Sequence, residues 1–179
     1  MAKRTKQTNR TPRWSQAKLI DRAKAHGAKG AKVIDPKTVV TEQWVRWKCR
    51  YGCGGYGSSL VCPPRSPTPD ETRRMLDGYK RGVLFEAAEW QGVKPLAVSL
   101  ERELFLTGYY KAFGLGAGPC TLCEQCAFDE GCRHPNDARP AMEACGIDVF
   151  ATVRENAFVV NVIRKRTDPQ HYFGLVLVD

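Results

Sequence analysis

The chain has 179 residues, 42% of them hydrophobic, which suits one compact domain with a real core. No apolar run approaches the length that spans a bilayer, and the basic start lacks the apolar segment of a secretory signal. A cytoplasmic location without membrane contact is therefore expected. The formal net charge of +9 belongs to the start of the chain: residues 1–37 hold eleven Lys or Arg against Asp21 and Asp35, and the remaining charges cancel. The charge does not imply a general nucleic-acid surface on the body; contact with nucleic acid is expected only through a basic, disordered arm at 1–13, with an acidic partner or no partner as the alternatives. Residues 14–179 then form a single cysteine-rich metal-binding domain.

The first helix is predicted from Ser15, a capping residue, to His26, with Ala17, Ile20 and Ala23 on one face. Short apolar pieces at 31–34 and 39–40 lead into 43–48, where Trp44, Val45, Arg46 and Trp47 alternate as in a strand. Thr68, Pro69 and Glu71 make a capping box that opens a helix to about Lys80, with Met75, Leu76 and Tyr79 inward. Residues 82–88 read as a buried strand, 91–95 as a loop, 97–113 as a long helix and 114–119 as its Gly-rich end. Asn136 or Asp137 caps a predicted short helix reaching Cys145, and 148–155 form another. Apolar runs at 158–163 and 172–178 read as a terminal antiparallel hairpin. The fold class is α/β or α+β: a small mixed sheet with packed helices, two cysteine-rich metal loops and a C-terminal β-hairpin.

Eight cysteines in a chain without a secretory signal read as metal ligands rather than disulfides, and eight thiols suffice for two four-ligand centres. Cys120, Cys123, Cys126 and Cys132 are spaced C-x2-C-x2-C-x5-C, so each short spacer returns the next thiolate to the same point. Bacterial ferredoxins use a closely related run with a proline directly after the last cysteine; here Pro135 follows three residues later. This spacing suits a cubane [4Fe-4S] cluster better than zinc, whose sites more often use two separated pairs. Cys49, Cys53 and Cys62 form a second group, spaced C-x3-C-x8-C. Gly52, Gly54, Gly55 and Gly57 within it let the backbone turn tightly and bring N–H groups near an anion, such as a cluster sulfur. A plain Gly-rich turn with packed cysteines is the alternative. The predicted strand at 43–48 would place this group at its mouth, where α/β folds hold sites.

Cys145 either completes the second group as its fourth ligand or is a small core residue. His134 stands two residues after Cys132, placed to replace a thiolate, to shuttle a proton or to do neither. Lys111, on the helix before the run, either neutralises cluster charge or packs. Arg133 and Arg139 likewise balance cluster charge or pair with Asp137 and Glu143.

Taken together, KC-x3-C-x2-YG-x4-CPP, then GYYKAF-x4-GPC-x2-C-x2-C-x5-CRHP, then RP-x-MEACGIDVF resemble a prokaryotic family of cysteine-rich predicted metal-binding proteins over roughly residues 30–179. The resemblance implies metal binding through all eight cysteines, of iron–sulfur type, in cells that often live without oxygen. It brings no reaction with it.

The sequence therefore points to an iron–sulfur protein with one or two [4Fe-4S] clusters, passing electrons or supplying them to a partner redox enzyme. Two alternatives stay open. One is an enzyme whose Cys49–Cys53–Cys62 cluster keeps an open iron as a Lewis acid or redox centre. The other is a structural zinc module whose arm binds nucleic acid or protein.

Overall fold

The structure, a computed structural model, describes residues 13–179. Nearly all of the basic arm, with its expected disorder and nucleic-acid contact, lies outside the described residues. Helix α1, Gln16–Ala25, starts where the Ser15 hydroxyl accepts the Lys18 N–H. Strand β1, Gly30–Ile34, follows; then come helix α2, Gln43–Gly52, and helix α3, Pro69–Asp77. The capping box at Thr68 is present in full: its hydroxyl accepts from Glu71 N and the Glu71 carboxylate accepts from Thr68 N. Strand β2 is Gly82–Ala87, helix α4 Trp90–Leu106 and strand β3 Phe113–Leu115. Helix α5, Val149–Glu155, is capped by Asp148, and strand β4 is Tyr172–Leu177. Short 3-10 turns occur at Pro36–Thr38 and Glu143–Cys145.

The strands lie in the order β1-β2-β4-β3, antiparallel at every pairing. The expected fold class is present in its α+β form, with an antiparallel sheet instead of a mixed one. Alternation along the strands sends side chains to two cores. Val83, Phe85 and Val176 meet Leu19 of α1 and Val93, Leu96, Leu100 and Leu104 of α4. On the other face Leu84, Leu175 and Leu177 pack with Leu76, Leu115, Met142 and Ile147. Both faces are covered, which is why β2 reads as a continuous apolar run.

Four local expectations are corrected. Residues 43–48 are helical, because alternation over so short a stretch also fits one turn of helix, and in α2 only Val45 is buried. The first cysteine group therefore follows a helix, not a strand. Helix α4 begins at Trp90 despite Gly92 and Pro95, since burying Val93, Leu96 and Ala97 on the sheet outweighs their poor helix propensity. The segment before Cys145 is not a helix: Gly116 N donates to Pro140 O at 2.8 Å and Met142 N to Gly116 O at 2.9 Å, holding it against the end of β3. Finally, 158–163 is not a strand and there is no terminal hairpin. Strand β4 pairs with β2 along its length and with β3 at Leu175–Leu177, and Phe158 of the preceding segment stacks edge-on against Phe173, ring centroids 5.3 Å apart.

Arg81, 8% exposed, ties the sheet to its surroundings. It donates to both carboxylate oxygens of Asp179, at 2.8 and 2.6 Å, and to Trp14 O at 2.7 Å. Its hydrogen bonds hold the Asp179 carboxyl below the usual range. A depressed carboxyl contributes stability above its unfolded pKa, about 3.9, and loses it as pH falls through the folded value. Asp179→Asn is therefore less stable than the parent at pH 7, and the gap closes in strong acid. Urea midpoints across that range test this; a gap that persists in acid contradicts it.

Candidate metal centre

Helix α2 ends in the first cysteine group, and its direction is set by one buried contact. Val45 and Cys49, one turn apart, share the face that meets the Glu143–Cys145 turn. Arg46 fixes the far end of the loop. Its Nη1 donates to Ser66 O at 3.1 Å, Pro67 O at 2.6 Å and Ala144 O at 2.8 Å, and the Ser66 hydroxyl donates to Ala144 O at 2.6 Å. Within the loop Gly57 has φ +74°, which favours glycine, while its N–H donates to Pro63 O at 2.8 Å. Gly55 donates to Cys53 Sγ at 3.4 Å. The predicted approach of backbone N–H to sulfur thus occurs at Gly55, whereas the space around Gly52 and Gly54 is open.

The second run is brought against the first. Leu60 N–H donates to Cys126 Sγ at 3.3 Å, and the Arg65 guanidinium lies 4.1 Å from the centre of the Phe128 ring. Cys132 Sγ accepts from His134 N at 3.4 Å, so His134 approaches a thiol through its backbone. All eight thiols are free; Cys62 and Cys145 are buried, while Cys53 and Cys132 are exposed. Burial raises the Cys49 thiol pKa, and Cys53, Glu143 and Cys62 add to the rise while Arg46 opposes it.

Cys145 lies in the 3-10 turn that α2 packs against, with its side chain turned into the core. It is 0% exposed, among Leu76, Leu115, Ile147 and Leu175, and burial pushes its thiol up to about 12. Such surroundings suit the core reading of Cys145, in which it packs as a small apolar side chain. Lys111 is also committed elsewhere: its ammonium lies 4.6 Å from the Tyr79 ring centre and donates to Gly78 O. Arg139 pairs with Glu101 through two bonds of 2.6 and 2.5 Å, and Arg133 with Glu130 at 3.1 Å.

A cation beside Cys120 is Lys94, in a stretch predicted to be a loop. Its Nζ donates to Gly118 O at 2.8 Å. Burial lowers its pKa, while Cys120, Cys62 and Glu143 nearby raise it again. Gly116 makes room for it: a Cβ there would overlap the Lys94 stem, whose Cα and Cβ lie only 3.4 Å away. No local sequence signal marks Lys94, because its partner stands 24 residues further on.

Two buried atoms at this centre, Ser59 Oγ and Glu143 Oε2, have no hydrogen-bond partner among the described residues. An orphaned buried polar atom costs about 1–3 kcal/mol, so each is a place where a further group would be accommodated. Burial raises the Glu143 carboxyl, against a hydrogen bond from its own backbone and the Lys94 charge. Among the described residues no three His, Cys, Asp or Glu side chains form a group able to hold a single metal ion. A single zinc asks its sulfurs to converge to about 4 Å from one another, given bonds of about 2.3 Å.

The model of a family described as predicted metal-binding protein (DUF2284) matches residues 32–178. No curated protein and no solved structure matches the chain. No helix among the described residues is long and apolar enough to cross a membrane.

The core placement of Cys145 gives a direct test. Cys145→Ala should keep the parent's metal-to-protein ratio and lose about 1 kcal/mol of stability. Cys49→Ala should lower the ratio. Equal loss of metal in both variants would make Cys145 a ligand.

Proposed function

Since the chain belongs to this family of predicted metal-binding proteins, which supports a metal cofactor in general, we propose that it is an iron–sulfur protein. It carries one or two [4Fe-4S] clusters and passes electrons to a partner redox enzyme. The observation that carries this reading is the meeting of two cysteine loops, with Leu60 N–H of one donating to Cys126 Sγ of the other. A cluster bound by such thiolates supplies one-electron exchange, at a potential set by net charge, hydrogen bonds to sulfur and exposure.

The chain's own residues supply each of those three influences. Cys120, Cys123, Cys126 and Cys132 hold one centre. Gly55, Leu60 and His134 donate backbone N–H groups to sulfur. Lys94 adds a positive charge near Cys62 and Cys120. Trp47 and Tyr51 are 65% and 78% exposed on α2, close in sequence to the exposed Cys53, and offer an aromatic face to a redox partner.

A second reading is favoured by the place of Cys145 in the core. With it withdrawn, Cys49, Cys53 and Cys62 leave one coordination position of a cubane without cysteine, as an enzyme with an open site requires.

Anaerobic purification followed by iron, zinc and acid-labile sulfide counts tests the proposal. About eight iron and eight sulfide per chain correspond to two cubanes, and about four of each to one. Zinc without sulfide contradicts the proposal and returns attention to a structural module. Lys94→Gln should move the reduction potential to more negative values, because the added electron loses a nearby positive charge, while Lys94→Arg should leave it close to the parent's. An unchanged potential in Lys94→Gln would remove Lys94 from the account.

A further inference from the structure

Helix α2 buries one face and exposes the other. Val45 and Cys49 turn toward the Glu143–Cys145 segment, while Trp44, Trp47, Lys48 and Tyr51, spaced i, i+3, i+4 and i+7, are exposed together on the outer side. Beside that side a groove of about 370 Å³ opens between α2 and the strap at 160–163. Among its lining residues Trp44, Phe150, Val162 and Ile163 are exposed large apolar side chains. Trp44 and Lys48 belong to both the groove and the outer side, so the apolar surface continues from the helix to the strap. A continuous exposed patch with a polar rim marks an interaction site.

Charge decides what covers it. Helix α2 exposes Lys48 and Arg50 and holds no acidic residue. After Ile163 the strap continues through Arg164, Lys165 and Arg166, all exposed. The acids of the groove and strap are engaged or closed off. Asp148 accepts Ala151 N at 2.9 Å, and Asp168 accepts the N–H groups of Arg164 and Lys165 at 2.7 and 2.9 Å. Glu143 Oε2 is closed off from water. Glu42 stands before the first residue of α2, outside the groove lining. A face of this composition attracts negative charge.

Three other occupants fit less well. Residues 1–12 carry Lys3, Arg4, Lys6 and Arg10 and no acid, so like charge keeps them away. A second copy, with its net charge of +9, would set the same basic residues opposite each other in a two-fold contact. Single-stranded nucleic acid stacks its bases on open rings, whereas cations already lie over three of these. Lys48 is 4.9 Å from the Trp44 ring centre, Arg50 5.4 Å from that of Tyr51 and Arg154 5.4 Å from that of Phe150.

We propose that this face docks an acidic segment of a partner protein. The segment seats one or two large apolar side chains in the groove between Trp44 and Ile163, and its carboxylates meet Lys48, Arg50 and the basic strap. Apolar contact supplies affinity, and the charges supply orientation and speed of encounter. Because α2 ends at the exposed Cys53, a protein docked here lies beside the first cysteine group. The inference deepens the partner reading proposed above by giving that partner its surface chemistry; the docking itself does not depend on which metal the thiols hold.

Calorimetry on the full chain, purified anaerobically with its metal, tests this with four probes. One is a peptide of alternating Asp and Ser around a central Leu-Phe pair. The second has Ser in place of the pair, the third has Lys in place of Asp, and the fourth is a single-stranded oligothymidylate. The first peptide should bind at least about tenfold more tightly than each of the others, and added salt should weaken it. The double variant Lys165→Glu, Arg166→Glu and the single variant Val162→Asp, all at exposed positions, should each weaken it at least about tenfold. Metal content and melting temperature should stay at the parent's values in both. The proposal is overturned if the first peptide does not bind, if the Lys peptide or the oligothymidylate binds as tightly, or if both variants keep the parental affinity. A zinc-containing chain that binds the acidic peptide keeps the surface and loses the redox reading, whereas an iron–sulfur chain that ignores the peptide loses the surface alone.

Discussion

A half-buried ammonium has to be met by acceptors or negative charge, and the way Lys94 meets this constraint organises the candidate centre. Its stem passes through the gap left by Gly116, and its Nζ reaches Gly118 O at 2.8 Å. That bond ties the start of α4 to the segment that delivers Cys120. Cys62 of the other loop and Glu143 of the 3-10 turn lie close enough to influence the same charge. One side chain is thereby in electrostatic contact with three segments that are remote in sequence.

The sheet makes this arrangement possible. Helix α4 is fixed by Val93, Leu96, Leu100 and Leu104 on one face. Strand β3 pairs with β4, which sets where Gly116 emerges, and Gly116 in turn bonds both Pro140 and Met142. Arg139 closes the return of the chain by pairing with Glu101 of α4, whose Oε2 also accepts Gly114 N at 2.7 Å. On the other side Arg46 holds the first loop to Ala144 O. The cysteines stand on loops, yet each loop is anchored at its ends by buried groups. Such a framework can hold ligands in place.

Much of this was legible in the sequence wherever the signal was local. The cysteine spacing, the capping box at Thr68, the Asp148-initiated helix and the apolar strand at its end all follow from neighbours within a few residues. The errors arose where distant contacts decide. The alternation of Trp44 to Trp47 fits a strand until one knows that only Val45 has a core to enter. The run at 158–163 is apolar enough for a strand, but the partners of β4 are the remote strands β2 and β3. Pro95 and Gly92 suggest a loop by propensity, and burial on the sheet overrides them. The same limit explains the site. Lys111 lies closer in sequence to the cysteine run than Lys94 does, but only the fold shows that Lys94 reaches Gly118 O, two residues before Cys120. Glu143 lay within the motif that carried the resemblance, and its orphaned oxygen became visible only with its surroundings.

The central claim is that the gathered thiols hold a polynuclear iron centre and not a single ion. X-ray absorption at the iron and zinc edges of anaerobically prepared protein tests it most directly. The account predicts iron with an all-sulfur first shell and a second shell of iron scatterers. Zinc ringed by sulfur at about 2.3 Å, with no metal–metal scattering, would contradict it.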